Sequence, residues 1–285
     1  MKLPHLGSFW MLVAALGFAV MGALVKVGSA KFSSAELVFY RSIFGLMAIY
    51  VYIFAKKLPL ATPVIGKQIS RALVGFASLV LFFYAIAHLP LATAVTLNYT
   101  SALFLALLMP LMLHEKPKSI LYAMILLGFV GVVLLLKPSF AKQDLAAGAV
   151  GLLSGFGAAF AYAHVKQLGN LGEPDWRTVF YFTLISTFAS GFWMLLQTYT
   201  SMSLQDMPTL LGLGVSATIA QLAMTRAYRT GITLTVASLA YTTVIFASLF
   251  GVLFWQEKLS YSEYMAIGII IFSGIVSANA TNRAK

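Results

Sequence analysis

Apolar residues dominate the chain in ten stretches, each about as long as a helix that crosses a bilayer. Such a helix needs about 20 mostly apolar residues. The stretches fall at 8–27, 35–55, 70–88, 91–113, 119–137, 145–166, 176–198, 208–228, 231–254 and 260–280. Short polar segments separate them, and Ser33 with Glu36 and Ser260 with Glu263 have the spacing of helix-capping boxes. The pattern predicts ten transmembrane helices joined by short loops.

One stretch of the chain occurs twice. Residues 84–116 align without a gap on residues 226–258, and ten of the 33 aligned pairs are identical. Roughly three identities are expected by chance, because apolar segments use few residue types. The identical pairs include uncommon residues, namely Tyr99/Tyr241, Thr100/Thr242, Glu115/Glu257 and Lys116/Lys258. The sequence therefore predicts an internal duplication.

The duplication divides the ten helices into halves of five, residues 1–140 and 141–285. Because five is odd, the second half enters the membrane upside down relative to the first. Inverted repeats are typical of transporters, whose substrate site lies near the bilayer midplane between the halves. We therefore predict an all-α integral membrane protein of two inverted five-helix repeats, working by alternating access.

The basic residues predict the orientation of this bundle. If the N-terminus is cytoplasmic, thirteen of the 19 Lys and Arg residues lie in cytoplasmic segments and five in external ones, with Arg41 inside a helix. Arg71 is counted with the cytoplasmic segment before the third helix. Cytoplasmic loops of membrane proteins carry such an excess of positive charge. We expect both termini in the cytoplasm and the protein in a bacterial inner membrane.

Composition agrees with this class and excludes others. Hydrophobic residues make up 60% of the chain and charged residues 9%, against about 25% charged residues in a soluble protein. The absence of Cys excludes thiol chemistry and thiolate metal sites. Topology accounts for the net charge of +11, so no nucleic-acid partner is expected. The expected partners are the bilayer and a small-molecule substrate, without cofactor or metal, and homodimerisation is left open.

Arg41 is the strongest single candidate for a site residue. It lies five residues past Glu36, on the order of 8 Å along the second helix, which is too deep for a loop charge. A charged residue inside a membrane span is by default a functional candidate that faces a bundle interior or a wet cavity. The alternative is a structural cation held by backbone carbonyls or a helix C-terminus. The second half has Phe182 at the equivalent position, so an anion site here would be one-sided.

Four polar residues fall near the centres of predicted helices: Asn98, Tyr99, Gln221 and Tyr241. Polar groups at the midplane are costly unless they pair or meet water, so their clustering predicts a central cavity that binds substrate. The alternative is hydrogen bonding between helices, which such side chains commonly supply.

Three aromatic residues are kept as candidate cavity walls: Trp10, Tyr84 and Tyr162. Their rings suit an amphipathic organic substrate, because each offers a stacking face and one polar group. The alternative is the belt of aromatic residues found at both membrane interfaces.

Several motifs together resemble the EamA-domain family of the drug/metabolite transporter superfamily. They are Phe39-Tyr40-Arg41, Ala85…Leu89-Pro90…Ala94, His114-Glu115-Lys116, Gly128…Gly131 and Gln256-Glu257-Lys258. The resemblance covers the whole chain and implies two five-helix units. It implies a transporter but not a substrate, since the family is similar to carriers of amino acids, nucleobases, adenosyl compounds and amphiphilic drugs.

The acidic residues and motifs in the predicted helices bear on ion coupling and on other classes of function. Glu36 and Glu263 cap the starts of their helices, and no carboxylate is left deeper in the membrane. Proton or sodium coupling usually needs one, so uniport or exchange is favoured. A proton-coupled multidrug or metabolite exporter is the alternative. An intramembrane enzyme is disfavoured because GxSxG, HExxH and phosphate-loop motifs are missing, and no catalytic residue is assigned. A non-transporting receptor is the remaining alternative.

Overall fold

The computed structural model describes residues 4–89, 91–137, 145–256 and 258–282. Ten helices in this part of the chain are long and apolar enough to cross a membrane. The helical segments are α1 (Pro4–Gly28), α2 (Ser34–Ala55), α3 (Ile65–His88), α4 (Leu91–Tyr99), α5 (Ser101–Met112), α6 (Ser119–Leu136), α7 (Leu145–Asn170), α8 (Asp175–Leu195), α9 (Met207–Thr230), α10 (Thr233–Ala240), α11 (Thr242–Trp255) and α12 (Tyr261–Asn282). The all-α fold with ten spans is as the sequence predicts.

Local sequence explains where these helices begin. At the start of α2 the Ser33 amide donates to Glu36 Oε2 at 2.7 Å and the Glu36 amide donates to Ser33 Oγ, which completes the predicted capping box. At the start of α12 the Ser260 amide donates to the Glu263 carboxylate. These bonds satisfy amide groups that a helix N-terminus leaves unpaired.

Helix α3 begins at Ile65, five residues before the predicted boundary at residue 70. The segment 65–70 contains polar residues, yet Gln68 is fully buried and donates a hydrogen bond to Glu173 at 2.9 Å. Gln68 therefore points into the protein, where it meets Glu173 between α7 and α8, whereas Lys67 is exposed. The earlier start places Arg71 almost two turns inside the helix, so our assignment of Arg71 to a cytoplasmic segment is wrong.

Two spans are interrupted, and they are the repeated ones. The fourth span consists of α4 and α5 with a break at Thr100, and the ninth consists of α10 and α11 with a break at Tyr241. On the C-terminal side of each break a repeated threonine donates to a carbonyl three residues earlier, Thr100 to Leu97 and Thr242 to Leu239. The side chain thus adds a second hydrogen bond to a carbonyl that also accepts a backbone amide at the break.

The packing of the helices has an approximate two-fold symmetry that exchanges α1–α6 with α7–α12. Helix α2 packs on its own equivalent α8, and α6 packs on α12. The contact of α1 with α9 has its counterpart in α7 with α3, and that of α2 with α9 in α8 with α3. Contacts of this self-complementary kind are the mark of a two-fold arrangement. With five crossings in each half, equivalent helices run in opposite directions.

The bundle has two ends. The terminal face is the end at which Asn170, Asp175 and Thr230 lie, and the far face is the end at which Gly28, Ser34 and His88 lie. The predicted boundary between the halves at residues 140 and 141 and the repeated Glu257 are outside the described residues.

Candidate functional site

Two arginines from the first half meet one aromatic ring from the second half. The guanidinium carbon of Arg71 lies 4.1 Å from the centroid of the Phe182 ring, and that of Arg41 lies 6.0 Å from the same centroid. Arg41 is 9% exposed and Arg71 is 2% exposed. An aromatic face attracts a cation at these distances, and the attraction is greater where water is excluded. The α2–α8 contact at the two-fold axis thus has a cation on one side and a ring on the other.

Neither guanidinium has an acceptor among the residues that the structure describes. Arg41 Nε and two nitrogens of Arg71, Nε and Nη1, are buried without a hydrogen-bond partner. No ion pair joins either side chain to a carboxylate in this part of the chain. Gln221 Nε2 on α9 is also buried without a partner. Buried donors without acceptors are costly, which marks this cluster as unusual.

A small cavity of about 10 Å³ adjoins this cluster. Its lining comes from α2, α8 and α9, and consists of Arg41, Ser42, Phe182, Thr183, Ala217, Thr218 and Gln221. Thr183 and Thr218 donate their hydroxyl hydrogens to carbonyls of their own helices. The space is about what one water molecule needs, so a substrate would require the halves to separate.

Glycines bring the cluster together. A Cβ at Gly75, one turn after Arg71, would lie 2.8 Å from Arg71 Nη1 and 3.2 Å from the Phe182 ring. A Cβ at Gly45, one turn after Arg41, would lie 2.7 Å from the Thr218 hydroxyl. Both contacts are closer than real Cβ atoms tolerate. The small residues therefore allow α2 and α3 to approach α8 and α9 at the depth of the arginines.

Tyr162 on α7 borders the same cluster. Its hydroxyl is within electrostatic range of both Arg41 and Arg71, and its ring stacks on Tyr228 with centroids 5.2 Å apart. The structure therefore places three predicted site residues, Arg41, Tyr162 and Gln221, around one cavity or beside it.

The repeated tyrosines lie elsewhere in the centre. Tyr241 is fully buried and Tyr99 partly buried, and their rings meet edge to face with centroids 5.9 Å apart. Asn98 donates a hydrogen bond to Ser154 Oγ at 3.2 Å, which is the interhelical alternative considered for it. Neither tyrosine lines the cavity at Arg41. In this state the two tyrosine rings pack the broken helices against each other, and Asn98 joins the fourth span to α7.

The other two aromatic candidates lie towards opposite ends of the bundle. Trp10 covers the Arg226 guanidinium at 4.6 Å on the side of the terminal face. Tyr84 is 44% exposed and stacks on His88 in its own helix at the far face. The cationic neighbour of Trp10 and the partial exposure of Tyr84 are typical of residues near a bilayer interface. Neither residue lines the cavity at Arg41.

Arg71 is the site residue that sequence reasoning missed. The only signal for it was its spacing from Gly75, a small residue one turn away on the same helix face. That spacing is too common to identify a site by itself.

Comparison with known proteins decides the family. The EamA-like transporter family matches the chain twice, over residues 5–137 and 145–278. The chain belongs to this family. Members contain two repeated halves, in agreement with the packing symmetry described above. As a member of the drug/metabolite transporter superfamily, the chain is a multi-pass membrane transporter and not an enzyme.

Individual relatives support the same assignment. The chain is 32% identical over 279 residues to the pseudopaline exporter CntI of Pseudomonas aeruginosa strain UCBPP-PA14, covering 98% of this chain and 96% of that protein. It is 28% identical over 238 residues to the riboflavin transporter of Vibrio cholerae serotype O1, covering 79% and 76% of the two chains. A crystal structure matches with a TM-score of 0.87 over 98% of each chain at 16% identity, which shows the fold alone.

Proposed function

We propose that this transporter moves a small organic metabolite across the bacterial inner membrane by alternating access. The substrate is held between the halves at the cavity beside Arg41, Phe182 and Gln221. The observation that carries this proposal is the position of the cluster, buried at the two-fold contact between equivalent helices α2 and α8. Inverted-repeat transporters bind substrate at such an interface and expose it to each side in turn. The names of the two relatives, which specify organic solutes, support this class of substrate.

Uniport or exchange is favoured over tight proton coupling. Among the described residues, the carboxylates lie near helix ends and bond to partners there, as Glu36 does with the Ser33 amide and Glu173 with Arg177. A proton-coupled carrier usually needs an ionisable acid in its central path. The arginine cluster supplies positive charge but no such acid.

The test is transport by purified protein in liposomes. The panel contains amino acids, nucleobases, adenosyl compounds, flavins and amphiphilic cations, each measured by uptake and by counterflow from preloaded vesicles. We expect saturable counterflow for one of these classes, at a rate that an imposed pH gradient leaves unchanged. A rate that follows the gradient would contradict uniport or exchange, and absence of counterflow across the panel would count against the proposed transport of these solutes.

We also infer that both chain termini are cytoplasmic. Lys56 and Lys57 are exposed on the terminal face, and removing Arg71 from the cytoplasmic set still leaves more than twice as many basic residues on that side. Because the chain has no Cys, single cysteines at Lys57 and Ser201 can report orientation. A membrane-impermeant maleimide applied to intact cells should label Ser201→Cys and spare Lys57→Cys. The reverse pattern would invert the assignment.

A further inference from the structure

We propose that the guanidinium groups of Arg41 and Arg71 bind a carboxylate, and that the transported substrate is a carboxylate-bearing organic anion. This inference rests on the proposed function and names its class of substrate. Three observations lead to it: three other cations of low exposure pair with acids, the described carboxylates already have partners, and the groups of the cluster that lack partners are hydrogen-bond donors.

Elsewhere in the described part of the chain, three basic side chains with low exposure are matched with acids, whereas Arg226 lies against the Trp10 ring. Lys166 lies 4.0 Å from Glu115, and Arg177 lies 3.1 Å from Glu173. Arg229 Nε lies 2.7 Å from the Asp175 carboxylate. Arg41 and Arg71 are among the most buried of the cations, yet neither forms an ion pair with an acid of the described residues. The three cations at helix ends are therefore neutralised by acids, whereas the two cations at the cavity are not.

No described carboxylate is free to take this role. Each one is engaged at a helix end or in a loop: Glu36 with Ser33 and Thr200, Glu115 with Thr233, Glu173 with Gln68 and Arg177, Asp175 with Arg229, Asp206 with Lys31, and Glu263 with Lys137. A permanent counter-ion for Arg41 and Arg71 is thus missing from this part of the chain. Two like charges at a shared ring repel each other strongly where the dielectric constant is low. An incoming anion relieves both the repulsion and the missing hydrogen bonds.

In the cluster of Arg41, Arg71 and Gln221, the groups without partners are all N–H donors. Arg41 contributes Nε, Arg71 contributes Nε and Nη1, and Gln221 contributes Nε2. The ring of Phe182 stabilises the cations but accepts no hydrogen bond in their plane. A carboxylate supplies two acceptor oxygens in a plane, which matches the fork of a guanidinium group. The lining therefore selects for acceptor oxygens with negative charge and against a cationic substrate group.

The site also joins the two halves. Both arginines come from the first half, whereas Phe182 and Gln221 come from the second. The equivalents of Arg41 and Arg71 in the repeat are Phe182 and Leu213, so the charge is on one side of the contact only. A bound carboxylate would contact donors of both halves at once. Its binding is therefore coupled to their approach, as alternating access requires.

The test uses thermal unfolding of the detergent-solubilised full chain with matched pairs of an acid and its amide. The pairs are nicotinate and nicotinamide, and succinate and succinamide, with phenyl phosphate as a separate anion. Ligand that binds the native state raises the unfolding midpoint. We expect at least one acid to raise it in a saturable way and its amide to have no effect.

Variants locate the effect. Arg41→Gln and Arg71→Gln should each weaken acid binding by about 10-fold to 100-fold, the loss expected for a charged hydrogen-bond partner. Arg41→Lys keeps the charge but loses the fork, and should weaken binding less than Arg41→Gln does. Lys56→Gln, at an exposed position, is the matched charge control and should bind like the wild type. Elution as a single species in size-exclusion chromatography establishes that each variant folds.

Four results would overturn the proposal. They are amides that bind as well as acids, acid binding that survives in the double variant Arg41→Gln/Arg71→Gln, stabilisation by phenyl phosphate without any acid, and no stabilisation by any acid. The proposed function fails separately. Acid binding without counterflow in liposomes would support the carboxylate site and contradict transport. Counterflow of neutral solutes that is unchanged in both arginine variants would support transport and contradict the carboxylate site.

Discussion

The last turn of α9 and the last turn of α3 are equivalent in the repeat, and both contain a fully buried alanine, Ala227 and Ala85, but their tyrosines differ in burial. In α9, Tyr228 is 1% exposed and stacks on Tyr162 of α7. In α3, Tyr84 is 44% exposed and contacts His88 of the same helix. Two copies of one bundle thus end differently on the two faces of the membrane. The difference shows that the two-fold symmetry, which is one-sided in charge at Arg41 and Phe182, is also broken at the ends of these helices.

Polar contacts strengthen the closure at the terminal face. Lys166 at the end of α7 donates to the Gly231 carbonyl at 2.9 Å and lies near Glu115, which accepts from Thr233. Helix α7 packs on α9 at this end. The equivalent helices α1 and α3 make no comparable packing contact in the described residues. The closing elements are therefore α7 and α9 at one face, without a matching pair at the other.

The comparison fits the proposed cycle. If the unit in which α9 packs on α1 moves against the unit in which α7 packs on α3, the ends of α7 and α9 separate while those of α1 and α3 approach. The arrangement described here is then the state closed at the terminal face. The two faces exchange roles in the opposite state, because the repeat supplies the same elements upside down.

A disulfide across the closed end should have the largest effect. A Cβ at Gly169 on α7 would lie 2.9 Å from Arg229 Cβ on α9, and disulfides join Cβ atoms about 3.5–4.5 Å apart, so a small shift of these helix ends suffices. We expect oxidised Gly169→Cys/Arg229→Cys to lose nearly all transport and to recover it on reduction. Counterflow in liposomes before and after adding dithiothreitol measures this. Because the natural chain has no Cys, no other disulfide competes.

Two controls accompany the disulfide variant. Arg229→Cys alone measures the loss of the ion pair with Asp175. The pair Ser29→Cys/His88→Cys lies at the far face, where both residues are exposed. This pair should cross-link more slowly in protein without substrate. Equal cross-linking rates at the two faces would contradict the asymmetry.

A methyl group on α7 should have the next largest effect. A Cβ at Gly155 would lie 2.7 Å from the Leu97 carbonyl oxygen and would also contact the Thr100 hydroxyl at the helix break. The equivalent position in α1 is Ala15, which is fully buried, so the first-half helix accommodates a methyl group there. We expect Gly155→Ala to reduce the free energy of unfolding by about 1–3 kcal/mol. Gly148→Ala, where a Cβ meets nothing within 4 Å, should be neutral in the same denaturation experiment.

Much of the architecture could be predicted from the sequence because it depends on local pattern. A bilayer requires long apolar helices, so their number follows from composition along the chain. The repeat of Tyr99-Thr100 at Tyr241-Thr242 indicated the duplication, and both copies mark helix breaks in the structure. Arg41 was predicted from its depth in a span, and it does lie beside a cavity.

What the sequence could not give depends on side-chain direction and on the conformational state. Arg71 looked like a loop charge because polar residues surround it, and only the packing of α3 against α8 shows it to be buried. Tyr99 and Tyr241 were predicted at a cavity because polar groups at the midplane need partners, yet they meet each other. The difference between the faces has no sequence signal, since the repeat encodes the same elements for both.

The smallest effect should come from neutralising one acid at each face. Glu115→Gln removes the charge beside Lys166, whose side chain is 8% exposed, while Glu263→Gln removes the charge beside Lys137, whose side chain is 53% exposed. Because Glu115 is itself one-third exposed, solvent screens the pair, and we expect its loss to cost about 1 kcal/mol of terminal-face closure, against about 0–0.5 kcal/mol for the solvated pair. Maleimide labelling of a cysteine at Gly169 should become severalfold faster with Glu115→Gln and stay unchanged with Glu263→Gln. Equal acceleration by both would mean that the two faces are held by similar forces, and that the burial of α9 rests on apolar packing alone.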